Sequence, residues 1–113
     1  MTALDYVVAG SIDRNAAEPF EVGTVQWVRR PGDGERDALG AGFWFVSPDD
    51  APKPMEVVGH ADETVYIVEG RVRVQIADGE PADLTAGSVA SFNKDVAAVW
   101  TVVEPTIEFF VYS

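Results

Sequence analysis

ETVYIVEGRVRVQI, residues 63–76, decides the fold. Successive side chains of an extended chain point to opposite faces, so Glu63, Val65 and Ile67 share one face and Thr64, Tyr66 and Val68 the other. Beyond Glu69-Gly70 the alternation resumes, with Val72, Val74 and Ile76 apolar and Arg71, Arg73 and Gln75 polar. Glu69-Gly70 reads as the turn of a hairpin joining two half-buried strands.

The same grammar extends outward in both directions. TVQWVRR (24–30) mixes β-branched and aromatic residues before the turn run Pro31-Gly32-Asp33-Gly34. GFWFVS (42–47) is a second strand, followed by a connecting loop over 48–55, where Pro48, Pro52 and Pro54 cannot supply ladder N–H groups. After the turn at 77–81, DLTAG leads into GSVASF (87–92), and Asn93-Lys94-Asp95 bends the chain before AAVWTVV (97–103). Glu104-Pro105 then precedes a last strand, IEFFVY (107–112). Only DRNAAE (13–18) has the composition of a single helical turn. Short strands separated by turns every ~8–12 residues predict an all-β antiparallel sandwich or barrel. The length of 113 residues fits one domain, with 1–23 as an N-terminal extension and 24–113 as the barrel strands.

Composition narrows the partners. A hydrophobic share of 47% suffices for a folded core. The net charge of −11 opposes binding to nucleic acid or to an anionic membrane surface, both of which are held by clustered Lys and Arg. With no cysteine, disulfides and thiolate metal sites are excluded. The N-terminus carries Asp5 and its apolar run breaks at Gly10, so neither a secretory leader nor a membrane span is read, and a cytoplasmic location is expected.

Glu63, six residues and Gly70 resemble the second half of the first cupin motif, whose family form is two histidines, a glutamate and a glycine. Gly87 through Asp95 resembles the second cupin motif, with Asn93 in place of its proline and Asp95 in place of its glycine. GFWFVSP (42–48), DETVYIVEGRV (62–72) and AAVWTVVEP (97–105) are similar to small cupins related to the cupin domain of ureidoglycine aminohydrolase, a likeness covering roughly 41–113. The resemblance implies a jelly-roll cupin, a homodimer and a ligand pocket in the barrel mouth. Catalytic cupins hold a divalent ion on three histidines and one glutamate. This chain has one histidine, and the motif histidines fall near Val57 to Gly59 and at Ala98, which leaves Glu63 as the retained position.

The candidate site follows from these positions. Glu63 is the expected acid/base or binding carboxylate, against the plainer reading of a strand-end group that bonds backbone or water, or pairs with Arg71 or Arg73. His60, three residues earlier, suits a general base near neutral pH; with Glu63, and with Asp62 or Asp95, it is the set from which a site for Mn, Ni, Fe or Zn would have to be made. Trp44, Phe92 and Trp100 are expected as ligand-binding aromatics, although each also suits core packing. Trp100 ranks above Trp27 because it shares strand parity with Ala98. Lys94 and Asp95, in the bend at the second motif, are expected to reach a ligand at the barrel mouth, against the plainer reading of solvated turn charges, and Tyr66, opposite Glu63, suits a dimer interface or sheet-on-sheet packing. The leading expectation is a cupin that binds a small organic molecule at a degenerate metal site. Its rivals are an enzyme (a hydrolase, lyase or isomerase of a small carbonyl, hydroxy or ureido metabolite) using Glu63 and His60, and a structural or regulatory cupin that binds protein.

Overall fold

The computed structural model describes residues 8–113, so the N-terminal run carrying Asp5 lies outside the described residues. A 3-10 turn at Arg14–Ala16, capped by the Asp13 carboxylate accepting from the Asn15 N–H, precedes eight strands. They are β1 (Glu18–Pro19), β2 (Thr24–Arg29), β3 (Gly40–Val46), β4 (Met55–Val58), β5 (Glu63–Gln75), β6 (Ala82–Thr85), β7 (Val89–Phe92) and β8 (Ala97–Tyr112). All pairings are antiparallel, as expected of an all-β cupin chain.

The long strands β5 and β8 pair along most of their length and form a spine. At one end of the spine, the first half of β5 and the last half of β8 carry β7, β3, β2 and β1. At the other end, the last half of β5 and the first half of β8 carry β6 and β4. The spine bends between the two ends and folds one sheet over the other. Val65, Ile67 and Phe110 from the first sheet meet Val72, Val74, Trp100 and Val102 from the second in one apolar core. Burial of this kind is the main favourable term in folding, about 1.5–3 kcal/mol per fully buried large side chain.

The bend corrects the expected hairpin. Glu69-Gly70 does not reverse the chain: β5 runs through it, and β8 likewise runs through Glu104-Pro105. Three register shifts between the strands, at 67–69, 69–71 and 71–72 of β5, change the phase, so that 65 and 67 face inward before the bend and 72 and 74 after it. A bulge and a turn share the same local signature, glycine between two alternating runs, and only the partner strand distinguishes them. Gly70 has φ +96°, and a β-carbon there would lie 2.2 Å from the Pro105 carbonyl oxygen. The buried Thr106 hydroxyl completes the crossing by accepting from the Arg71 N–H (3.1 Å) and donating to the Glu104 carbonyl (2.8 Å).

Smaller differences have similar causes. The loop after β3 lies one residue earlier than expected, at 47–54, and the chain then pairs with β8 as β4, a strand not expected from the sequence. DLT lies in β6, paired to β5, and Ile76 falls beyond the end of β5 and is exposed. The segment ahead of β2 contributes β1 and, through Phe20 to Val22, part of the cavity described next.

Candidate functional site

Between the two sheets lies an open cavity of about 270 Å³, at the small end of the range for metabolite sites. Its walls come from β3, β4, β8, the start of β5 and the segment before β2. Trp44 and Trp100 meet edge to face at 6.2 Å between ring centroids, one from each sheet. The Trp44 indole N–H donates to the Val22 carbonyl at 2.8 Å, which pins the cavity edge to β3 and leaves the ring as an apolar wall.

Polar groups enter this wall from three places. Glu63 opens β5 opposite Tyr112 of β8, and burial pushes its carboxyl up to about 7. Glu108 stands on the inner face of β8, between Trp44 of β3 and Ile67 of β5. It is 2% exposed, and its Oε1 has no hydrogen-bond partner. Burial, and then the charge of Glu63, hold its carboxyl well above the ordinary range. His60, in the β4–β5 loop, places its ring 5.7 Å from that of Tyr112, whose hydroxyl is also raised, chiefly by burial and then by Glu63 and Glu108.

Of the residues singled out in the sequence, Glu63, His60, Trp44 and Trp100 line this cavity. Phe92 packs on Trp100 at 5.5 Å and lines an adjoining recess together with Glu63 and Ala98. Lys94 and Asp95 line neither space. Their main-chain N–H groups instead donate to the Asp62 carboxylate (2.7 Å) and the Gly59 carbonyl (2.8 Å), which ties the β7–β8 turn to the loop bearing His60. Asp95 adopts φ +70°, the left-handed conformation expected of the glycine it replaces in the motif. Trp27 packs on Phe20 and Phe110 rather than lining the cavity. Pairing of Glu63 with Arg71 or Arg73 does not occur, because both arginines bind Asp83 on the outer surface.

Glu108 went unread in the sequence. IEFFVY is apolar on both faces, so period two cannot say which side is interior; a single carboxylate in such a strand was the available signal. Glu21 and Tyr112 join it as further polar lining residues.

The positions that the resemblance matches to the motif histidines, near Val57 to Gly59 and at Ala98, carry no imidazole. Val57 and Ala98 lie opposite each other in the β4–β8 ladder and offer no donor atoms. Among the described residues, no group of three or more His, Cys, Asp or Glu side chains is placed to hold a metal ion. Nor, among them, is any helix long and apolar enough to cross a membrane.

A two-sheet antiparallel sandwich with an open cavity between its sheets, lined by Glu63 of the first cupin-like motif and adjoined by a recess that Phe92 of the second lines, has the architecture of a cupin domain. Residues 51–108 match the model of the EutQ-like cupin domain, and the chain belongs to that family. Among solved structures it is similar to ethanolamine utilization protein Q (EutQ) from Salmonella typhimurium, with 21% identity over 87% of this chain and 73% of that one (TM-score 0.65). A DUF861 family protein from Thermotoga maritima is 25% identical over 63% of this chain and 76% of that one (TM-score 0.55). Ectoine synthase from P. lautus shares the fold at 14% identity, over 90% of this chain and 71% of that one (TM-score 0.72). A search of curated proteins returned no match.

Proposed function

We propose that the protein binds a small organic molecule in the inter-sheet cavity, with Glu63 as a principal polar contact and with the cupin metal site degenerate. The observation that carries this reading is the cavity itself. It is open, is walled by Trp44 and Trp100, and keeps a carboxyl at the position that resembles the motif glutamate, while the stretch Val57 to Gly59 and Ala98, which the resemblance matches to the motif histidines, supply no imidazole. A cupin serving only as a protein scaffold has no use for an open, carboxyl-lined interior. Elemental analysis and native mass spectrometry of freshly isolated protein test the proposal together. Substoichiometric metal with a copurified organic mass is the expected result. Stoichiometric Mn, Ni, Fe or Zn that is lost in both His60→Ala and Glu63→Gln overturns it.

A second reading is favoured by one observation: a carboxyl titrating at about 7 is matched to proton transfer at neutral pH. In that reading Glu63 and His60 act as acid and base on a small carbonyl, hydroxy or ureido metabolite, the last class being the one implied by the likeness to ureidoglycine aminohydrolase. On an identified substrate, Glu63→Gln then lowers kcat by about 10²-fold or more with the fold intact. Full turnover in both Glu63→Gln and His60→Ala removes it.

We also propose a homodimer. Phe43, Phe109, Tyr66 and Val89 form a row across the outer face of β3, β8, β5 and β7, with Tyr66 and Val89 exposed by 44% and 63%. A second copy covering this row removes apolar surface from water on both partners.

A further inference from the structure

We infer that the cavity selects an organic cation, a protonated amine or amidinium carried on a flat apolar body, held between the carboxylates of Glu108 and Glu63. This rests on the small-molecule reading of the same cavity and adds the ligand's charge.

The first ground is an unfilled acceptor. Glu108 is almost fully buried, and among the described residues its Oε1 is the one buried side-chain oxygen left without a hydrogen bond. A buried acceptor in that state is costly, and a ligand donor that the Glu108 carboxyl turns to meet removes the cost. The second ground is the sign of the lining. Glu21, Glu63 and Glu108 border the cavity, and among the described residues no lysine or arginine does. Arg71 and Arg73, on β5 of the spine, are paired with Asp83 at the surface. Ionised side by side, Glu63 and Glu108 repel; an anionic ligand adds to that repulsion, whereas a cation placed between them offsets it and favours the ionised pair. The third ground is the wall. Trp44, Trp100 and Phe110 present aromatic surface, which attracts a desolvated cation and accommodates a flat apolar body. That wall makes an organic cation a better fit than a bare metal ion, which needs several oxygen ligands.

Three probes of one shape and different charge test the inference: benzylamine, benzyl alcohol and benzoate, titrated calorimetrically into the full chain at pH 8. Benzylamine is expected to bind at least about tenfold more tightly than benzyl alcohol, with benzoate weakest, as charge-assisted hydrogen bonding to a carboxylate requires. In Glu108→Gln, nearly isosteric, the amine affinity falls to that of the alcohol while the alcohol affinity is unchanged. Glu63→Gln, at a less buried position, gives a smaller loss of the same kind and serves if the first variant fails to fold. Amine and alcohol binding equally, benzoate binding most tightly, or the amine preference surviving both substitutions overturns the charge assignment and leaves the small-molecule reading standing. If none of the three gives heat or perturbs the fluorescence of Trp44 and Trp100, both readings fall together.

Discussion

Glu63 and Glu108 hold their protons above the ordinary glutamate range, one to about 7 and the other well up, because burial penalises the ionised form. In the window between the ordinary range and about pH 7, the folded protein therefore binds more protons than the unfolded chain, and its stability falls as pH rises. That slope is opposite to the one produced by ion-paired carboxylates such as Asp83, which Arg71 and Arg73 hold low. Urea melts at pH 5 and pH 8 separate the two effects. Glu63→Gln is expected to flatten the decline and to be more stable than the parent at pH 8 by ~1–2 kcal/mol, discounted from the full linkage value of about 1.4 kcal/mol per pKa unit because Glu63 is only partly buried. A variant that declines as steeply as the parent removes Glu63 as the source.

At the scale of the elements, the crossing of β5 and β8 is the joint on which the cavity depends. It sets the angle between the sheets and so brings Trp44 of one sheet against Trp100 of the other. Gly70 and Gly87 have nearly the same backbone conformation, φ +96° and +91°, but only Gly70 is crowded by the opposing strand. Substitution by alanine at Gly87 costs the left-handed strain alone, ~1–2 kcal/mol. At Gly70 the same change adds a clash with the main chain of Pro105 and Thr106, so a loss of ~3 kcal/mol or more is expected. Denaturation midpoints of the two variants check the order, and equal losses would mean that β8 can yield at the bulge.

For the molecule as a whole, a charge of −11 opposes any self-association, and the apolar row on the outer face favours it. The proposed dimer should therefore tighten with salt, since screening weakens the repulsion between copies and leaves apolar burial in place. Sedimentation at several protein concentrations, at low and moderate salt, is expected to show a dimer that Tyr66→Glu converts to monomer without loss of fold. A parent protein that stays monomeric at every concentration and salt removes the homodimer.

Strand alternation and turn residues were sufficient to read an all-β antiparallel sandwich or barrel, because they are local consequences of which side chains can be buried on one face of a strand, and the resemblance of 63–70 and 87–95 to the family motifs narrowed it to a cupin. Parity with Ala98 likewise carried Trp100 into the cavity ahead of Trp27. Local signals failed where the outcome depends on a partner strand. Glu69-Gly70 is a turn or a bulge according to what lies opposite, and the partner is β8, thirty or more residues away along the chain. Lys94 and Asp95 went to securing the His60 loop, since the β7–β8 turn faces that loop rather than the cavity. Glu108 lies on a strand apolar on both faces, so its inward direction, its burial and its unfilled oxygen were decided only when β3 and β5 closed on either side of it.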